Sequence, residues 1–549
     1  MIFMAGLLAL LIFANLQAQT DSGIVTPAVI GEAEKIIGLE FDSAEIDSML
    51  DELNANLDFY DELRSIEIEN SIAPALYFNP LPNGYHLDWN QYPLEFSPVE
   101  EITRPENIED LAFYSVTQLG HLIKTGQVTP TELTRLALER LKKYDPQLHC
   151  VITLTEDLAL AQAARADSEI AEGKYRGPLH GIPYGAKDLL AVSGYPTTWG
   201  ATPFRDQEFE YDATVIQKLE DAGAVLVTKL SLGALAWGDV WFEDTTRNPW
   251  NTEQGSSGSS AGSASAVAAG LVPFAIGSET WGSIVSPSTV CGTTGLRPTF
   301  GRVSRHGAMA LSWSMDKLGP ICRTVEDCAL VFEAMRGPDG IDKTVIDPAF
   351  NYDFDIDLKT IRVGYLGGDL ENDSAFYEYN QAALQVMRDL GVELVEIELP
   401  DLPTNALQII LSCEAGAAFD ELTRTNRDDL LVRQIKNAWP NVFRVSRFIP
   451  AVEYIQANRV RTLLIEVMDD LLRDIDVYIA PSFEGDNLLL TNLTGHPCVV
   501  LPNGFDENGE PVSITFIGRL FDEETLLAVA KKYQDATGFH LQHPPKFTD

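Results

Sequence analysis

The chain has 549 residues, 45% of them hydrophobic and 22% charged, a globular composition longer than one ordinary domain requires. With 39 Lys and Arg against 81 Asp and Glu the formal charge is −42, and a field of that sign repels phosphate backbones and anionic lipid surfaces, so nucleic acid is not an expected partner. The six cysteines are scattered, with no CxxC pair and no Cys/His cluster at zinc spacing, which leaves no readable metal site; free buried thiols are expected, with Cys322 and Cys328 the one pair open to a bridge.

The N-terminus carries an apolar run to Ala14, too short to span a bilayer and without a preceding Lys or Arg. It suits the apolar stretch of a secretory signal over residues 1–18, cleaved after Ala18, which implies export to a periplasmic or extracellular space and no membrane attachment afterwards. Residues 19–107 read as a helical, acidic extension. Asp42-Ser43-Ala44-Glu45 is a capped start for an amphipathic helix with Ile46, Leu50, Leu53, Leu57 and Leu63 on one face. The stretch SIAPALYFNPLPNG then breaks it with prolines and continues as extended chain. A helix pair followed by a Pro-punctuated strap resembles, in pattern, the small subunit that wraps the catalytic subunit of bacterial aminoacyl-tRNA amidotransferases.

From Ile108 the pattern alternates helix and strand. Thr129-Pro130-Thr131-Glu132 supplies a cap, a proline at the first helical position and a glutamate at the third, and opens a helix carrying Leu133, Leu136, Ala137 and Leu141. A long helical run follows to Gly173, and GPLHGIPYGAKDLL puts a short strand up to Lys187. ATVIQKLEDAG and AVLVTKL form a helix and a buried strand, the α/β unit that lays strands side by side in a large sheet. Further pairs follow: a helix from Val325 to Arg336, the strand IRVGYL, the helix NQAALQVMRDLG with the strand VELVEIEL, the strands DVYIAPSF and PCVVLPNGF, and a closing helix from Glu523 to Thr537. Between them, residues 404–448 read as helical, without chemical signature, and as a candidate cover for the site.

The chemistry concentrates between Gly255 and Gly301. Gly and Ser crowd this stretch up to Val267, AVAAGLVPFAIG gives a helix-then-strand pattern, and a second turn holds Gly282, Ser283 and Ser286. Such a composition lets backbone N–H groups approach an anion or oxyanion. A serine hydroxyl needs a base to become a nucleophile. A lysine serves as that base when burial keeps it neutral. Lys187, preceded by the apolar Ile182 to Ala186, has such a setting.

With these residues the chain resembles the amidase signature family, over roughly residues 108–549. GPLHGIPYGAKD is similar to the family's lysine motif, Gly258-Ser259-Ser260 to its GSS element, and Trp281-Gly282-Ser283-Ile284 to its GGSI turn, with a step of 24 residues from Ser259 to Ser283. The resemblance implies a Ser–cis-Ser–Lys triad: Ser283 as nucleophile, Ser259 as relay after a cis peptide, Lys187 as base. It implies an oxyanion site on the backbone N–H groups of Thr280, Trp281, Gly282 and Ser283. It also implies an α/β fold built on a large twisted mixed β-sheet flanked by helices on both faces. The implied activity is hydrolysis of a small-molecule amide through an acyl-enzyme, with no cofactor. A homodimer stays open as the oligomeric state. Trp281 stands where the family usually has a second glycine, Val285 and Ser286 where an arginine follows, and Glu279 where an aspartate is usual. Trp281 is expected to narrow the acyl pocket or pack beneath the turn. Three other readings are carried: a protein like the A-subunit of a glutamine-dependent aminoacyl-tRNA amidotransferase; an inactive binding protein; and an α/β-hydrolase elbow at Gly258-Ser259-Ser260-Ala261-Gly262, with Ser260 as nucleophile and His496 or His306 as base.

Overall fold

The computed structural model describes residues 25–37, 39–66, 78–99 and 102–548; the expected signal segment lies outside them. Among the described residues are thirteen strands: β1 (Val151–Leu154), β2 (Pro183–Lys187), β3 (Val225–Leu230), β4 (Arg247–Asn248), β5 (Asn251–Gly255), β6 (Phe274–Glu279), β7 (Thr294–Arg297), β8 (Lys317–Cys322), β9 (Val363–Leu366), β10 (Leu394–Ile397), β11 (Val477–Ala480), β12 (Cys498–Phe505) and β13 (Pro511–Gly518). Eleven of them form one mixed sheet in the order β1-β3-β2-β6-β8-β7-β12-β13-β11-β9-β10, and β4 pairs with β5 apart from it.

Strands β3, β6 and β12 are largely apolar because both faces of the sheet are covered. Alternation divides them between two cores. Leu226, Phe274, Ile276, Val499 and Phe516 join one core, with helices Val325–Met335 and Glu523–Thr537. Val225, Val227 and Ala275 join the other, with helices Pro130–Leu148 and Ala261–Ala268. Cys498, Val500 and Ile517 extend that second face under helices Ala451–Leu471 and Asn487–Thr494. The mixed sheet covered on both faces is thus as expected. The expected capping box opens helix Pro130–Leu148 with Thr129 and Glu132. Short strands β1, β7 and β8 lack a clear alternating or apolar signature, and sequence reasoning passed over them.

The extension packs as two helices, Pro27–Ile37 and Ser43–Arg64. The second starts on Asp42, whose carboxylate accepts from the Ala44 and Glu45 amides, while Glu45 accepts from the Asp42 amide. Its buried face is Met49, Leu53, Tyr60 and Leu63, whereas Ile46, Leu50 and Leu57 are only half-buried. The stripe is rotated from the expected one because the helix lies between two partners, Trp439–Ser446 and Ala451–Leu471, rather than on a flat surface. Residues 78–99 cross the core as a strap: Phe78 sits edge-on to Phe300 at 4.6 Å, Tyr85 donates to the Leu520 carbonyl at 2.7 Å, and the Glu95 amide donates to the Tyr352 carbonyl at 2.9 Å.

All six cysteines are free. The bridge left open between Cys322 and Cys328 does not form: Cys322 ends β8 in the core, and the Cys328 thiol donates instead to the Thr294 carbonyl at 3.6 Å. Among the described residues no helix is long and apolar enough to cross a membrane.

Candidate active site

The site lies past the C-terminal ends of β2 and β6, which run parallel with Ala186 opposite Ile276. That register sets Lys187, the last residue of β2, beside Ser278 near the end of β6. A crevice beyond the carboxyl ends of parallel strands is the usual place for ligands in such sheets.

Lys187 is fully buried. Its Nζ lies within hydrogen-bond distance of Ser259 Oγ at 2.8 Å, Ser278 Oγ at 2.9 Å and Ser260 Oγ at 3.0 Å, with the Ser278 carbonyl at 3.4 Å. Burial pushes its pKa far below the ordinary lysine value, and the more distant charges of Asp316 and Glu279 oppose this without reversing it. The three hydroxyls differ in what else they do. Ser260 Oγ donates to the Ser278 carbonyl at 3.1 Å and accepts from the Ser278 amide at 3.1 Å, so it is structurally engaged. Ser259 Oγ has Lys187 as its only hydrogen-bond partner among the described residues, which leaves its proton free to move.

The Gly258–Ser259 peptide is cis. Position 258 admits only glycine, since a Cβ there would lie 2.0 Å from the Gly238 carbonyl oxygen. The next amide, of Ser260, donates to the Ser283 carbonyl at 3.1 Å and ties the two serine segments together. Ser283 sits in the turn between β6 and helix Val285–Cys291, with Gly282 at φ +83 supplying the left-handed step. The backbone N–H groups of Thr280, Trp281, Gly282 and Ser283 donate to no acceptor among the described residues, and these four residues line a cleft of about 540 Å³.

Two buried carboxylates hold this turn. Glu279 Oε2 accepts from the amides of Ile284 at 2.8 Å and Val285 at 3.0 Å, and its Oε1 accepts from Arg297 and Asn492, each at 2.8 Å. Burial alone would raise its pKa, but the Arg297 guanidinium and these hydrogen bonds outweigh it and hold the pKa at about 2. Asp316 accepts from Thr280 Oγ1 at 2.6 Å and from the Leu311 and Ser312 amides at 2.8 and 2.9 Å. Below Lys187, Asp188 forms a fully buried ion pair with Lys229 at 2.7 Å and accepts from the Thr198 amide at 2.8 Å.

Lys187 lies against Ser259, and the Ser260 amide ties that segment to the turn carrying Ser283; no hydrogen bond joins Ser283 Oγ to Ser259 Oγ among the described residues. Trp281 lies at the mouth, 39% exposed, and narrows the cleft instead of packing under the turn. Val285 is buried in the core, and Ser286 Oγ pairs with Ser257 Oγ at 2.6 Å. The hydrolase elbow finds no support: Ser260 is engaged by Lys187 and Ser278, His496 Nδ1 lies 2.7 Å from Thr494 Oγ1, and His306 stacks on Tyr211. Burial brings the His496 pKa down to about 3, with Arg297 adding to the effect. Sequence reasoning gave no role to Ser278, Asp316 or Lys229. For Ser278 a partial signal existed: pairing β2 with β6 in parallel brings the end of β6 beside Lys187, without singling out Ser278.

A family model described as Amidase matches residues 132–527. The chain belongs to the amidase family. Among curated members, the glutamyl-tRNA(Gln) amidotransferase A-subunit of Roseiflexus sp. (strain RS-1) is 35% identical over 470 residues, covering 76% of this chain and 95% of that protein. The same A-subunit of Halorhodospira halophila (strain DSM 244 / SL1) is 34% identical, covering 79% and 99%. Among solved structures, the native peptide amidase of Stenotrophomonas maltophilia is 29% identical with a TM-score of 0.70, covering 78% of this chain and 98% of that one. Members similar to this chain thus include both amidotransferase subunits and a peptide amidase.

Proposed function

We propose that the protein hydrolyses the carbon–nitrogen bond of a small-molecule amide through an acyl-enzyme on Ser283. The observation that carries this reading is the fully buried Lys187 amine, its pKa pushed far below the ordinary lysine value by burial, at 2.8 Å from Ser259 Oγ and beside the Ser283 turn. Ser283 Oγ attacks the amide carbonyl while its proton passes to Ser259, whose own proton passes to Lys187. The tetrahedral oxyanion rests on the free N–H groups of the Thr280–Ser283 turn, each such donor lowering the barrier by roughly 3 kcal/mol. Protonated Lys187 returns its proton along the same path to the leaving amine. Water then attacks the acyl ester, with the same three groups acting in the reverse order.

The purified chain alone, without ATP or a second protein, is expected to release amine from simple amides, and Ser283→Ala is expected to release none. Release only on adding nucleotide and an aminoacylated tRNA would favour the second reading, an amidotransferase A-subunit, which the identities to such subunits support. The charge of −42 works against that reading, because tRNA is a polyanion. Export also belongs to the proposal, on the apolar run before Ala14. Cell fractionation is expected to place the protein outside the cytoplasm with an N-terminus after Ala18, and protein found only in the cytoplasm with Met1 intact would refute it.

A further inference from the structure

One wall of the catalytic cleft is aromatic, and it is braced from the N-terminal extension. Trp237 meets Trp439 edge-on at 4.8 Å, and Trp439 stacks on Phe443 at 5.2 Å with ring planes 10° apart, so the three rings form one packed wall. Leu411, Val442 and Leu488 continue the apolar surface toward Ser283, and at the mouth Trp281 and Phe483 expose 39% and 49% of their surface. Large aromatic surfaces left facing water inside a concavity mark a place where an apolar group binds.

Trp439 and Val442 stand on helix Trp439–Ser446, and the extension helix Ser43–Arg64 grips that helix along its length. Arg444, nearly buried, reaches Glu45 of the extension at 2.6 Å and Asp428 at 2.8 Å. Asn441 donates to the Ser48 carbonyl at 3.2 Å, Lys436 pairs with Asp51, and Met49 and Leu53 pack with Val445. Glu52, one turn along, itself lines the cleft.

We infer that the extension sets substrate choice: it fixes the Trp237–Trp439 wall so that the cleft selects amides carrying a bulky, uncharged aryl group. Glu45 and Arg444 are positioning residues in this arrangement, and Trp439 is the surface the aryl group meets. The inference rests on the amide-hydrolysing reading for its choice of ligands, and its test is kept separate from turnover.

Binding of 3-phenylpropionamide and of propionamide is measured by ligand-observed NMR titration of the full chain carrying Ser283→Ala. The aryl amide is expected to bind at least about tenfold more tightly, the size expected for filling an apolar pocket. Adding Trp439→Ala is expected to bring the two affinities within about threefold. Adding Glu45→Gln, which leaves the core intact, is expected to narrow the ratio several-fold, and Glu45→Asp to restore part of it. Equal affinities in the Ser283→Ala protein, or a ratio untouched by both Trp439→Ala and Glu45→Gln, would overturn the inference. Failure of the hydrolytic reading appears elsewhere, as a protein with intact Ser283 that binds these amides and releases no ammonia.

Discussion

At the residue scale the chemistry turns on a lysine without a carboxylate against it. Folding strips Lys187 of water and gives it only hydroxyl partners, so the neutral amine is favoured in the fold and the ammonium in the unfolded chain. The unfolded chain then binds the extra proton between the lowered pKa and the ordinary lysine value near 10.5. Stability at this position therefore rises with pH across that window. Denaturant titrations of wild type and Lys187→Met are expected to show the Met variant gaining most at low pH, with the gain shrinking as pH climbs toward 10.5. Under the proposed mechanism the same group is expected to set the acidic limb of the rate, with kcat/KM rising as pH passes upward through the lowered lysine pKa. Lys187→Ala is expected to lower kcat on the order of 10⁴-fold and to abolish that limb. Gly258→Ala should cost about 1–3 kcal/mol, read in urea, because its methyl would meet the Gly238 carbonyl, which cannot yield as a side chain can.

At the scale of elements, the turn after β6 is held by a carboxylate whose charge the fold keeps. Glu279 has a pKa of about 2 against an ordinary 4.5, so its contribution is fully present above about pH 4.5 and is lost as pH falls toward 2. The difference corresponds to an order of 3 kcal/mol. Glu279→Gln is expected to flatten the acid limb of stability, followed by circular dichroism between pH 5 and 2. Arg297→Ala leaves the same carboxylate buried and unpaired, and should cost about 3–5 kcal/mol at neutral pH.

These elements also show what the sequence made legible. The Thr129–Glu132 box, the helix-then-strand run after Ser260 and the spacing between Ser259 and Ser283 are local patterns, and each is read where it stands. Asp316 and Lys229 are different. They act only once β8 and β3 lie beside β6 and β2, and a lone Asp just before a strand or a lone Lys on one carries no mark of a partner across the sheet. The rotated stripe of helix Ser43–Arg64 is a third case, because its buried face depends on two partner helices about 400 residues away in sequence.

For the whole molecule, the extension and the core it packs on share two apolar clusters. Met49 and Leu53 join Val445 in one cluster, and Leu63 joins Ala457, Val460 and Leu464 in another. Deleting residues 1–66 would expose that surface, and the shortened chain is expected to self-associate in light scattering where the full chain does not. The Ser283 acyl-enzyme is the claim on which the rest depends. Its most direct test is peptide mass spectrometry after a rapid quench of the protein with a slowly deacylating activated amide. An acyl adduct is expected on the peptide containing Ser283, absent in Ser283→Ala and strongly reduced in Lys187→Ala. An adduct on Ser260 or another residue, or the same yield with Lys187→Ala, would contradict it.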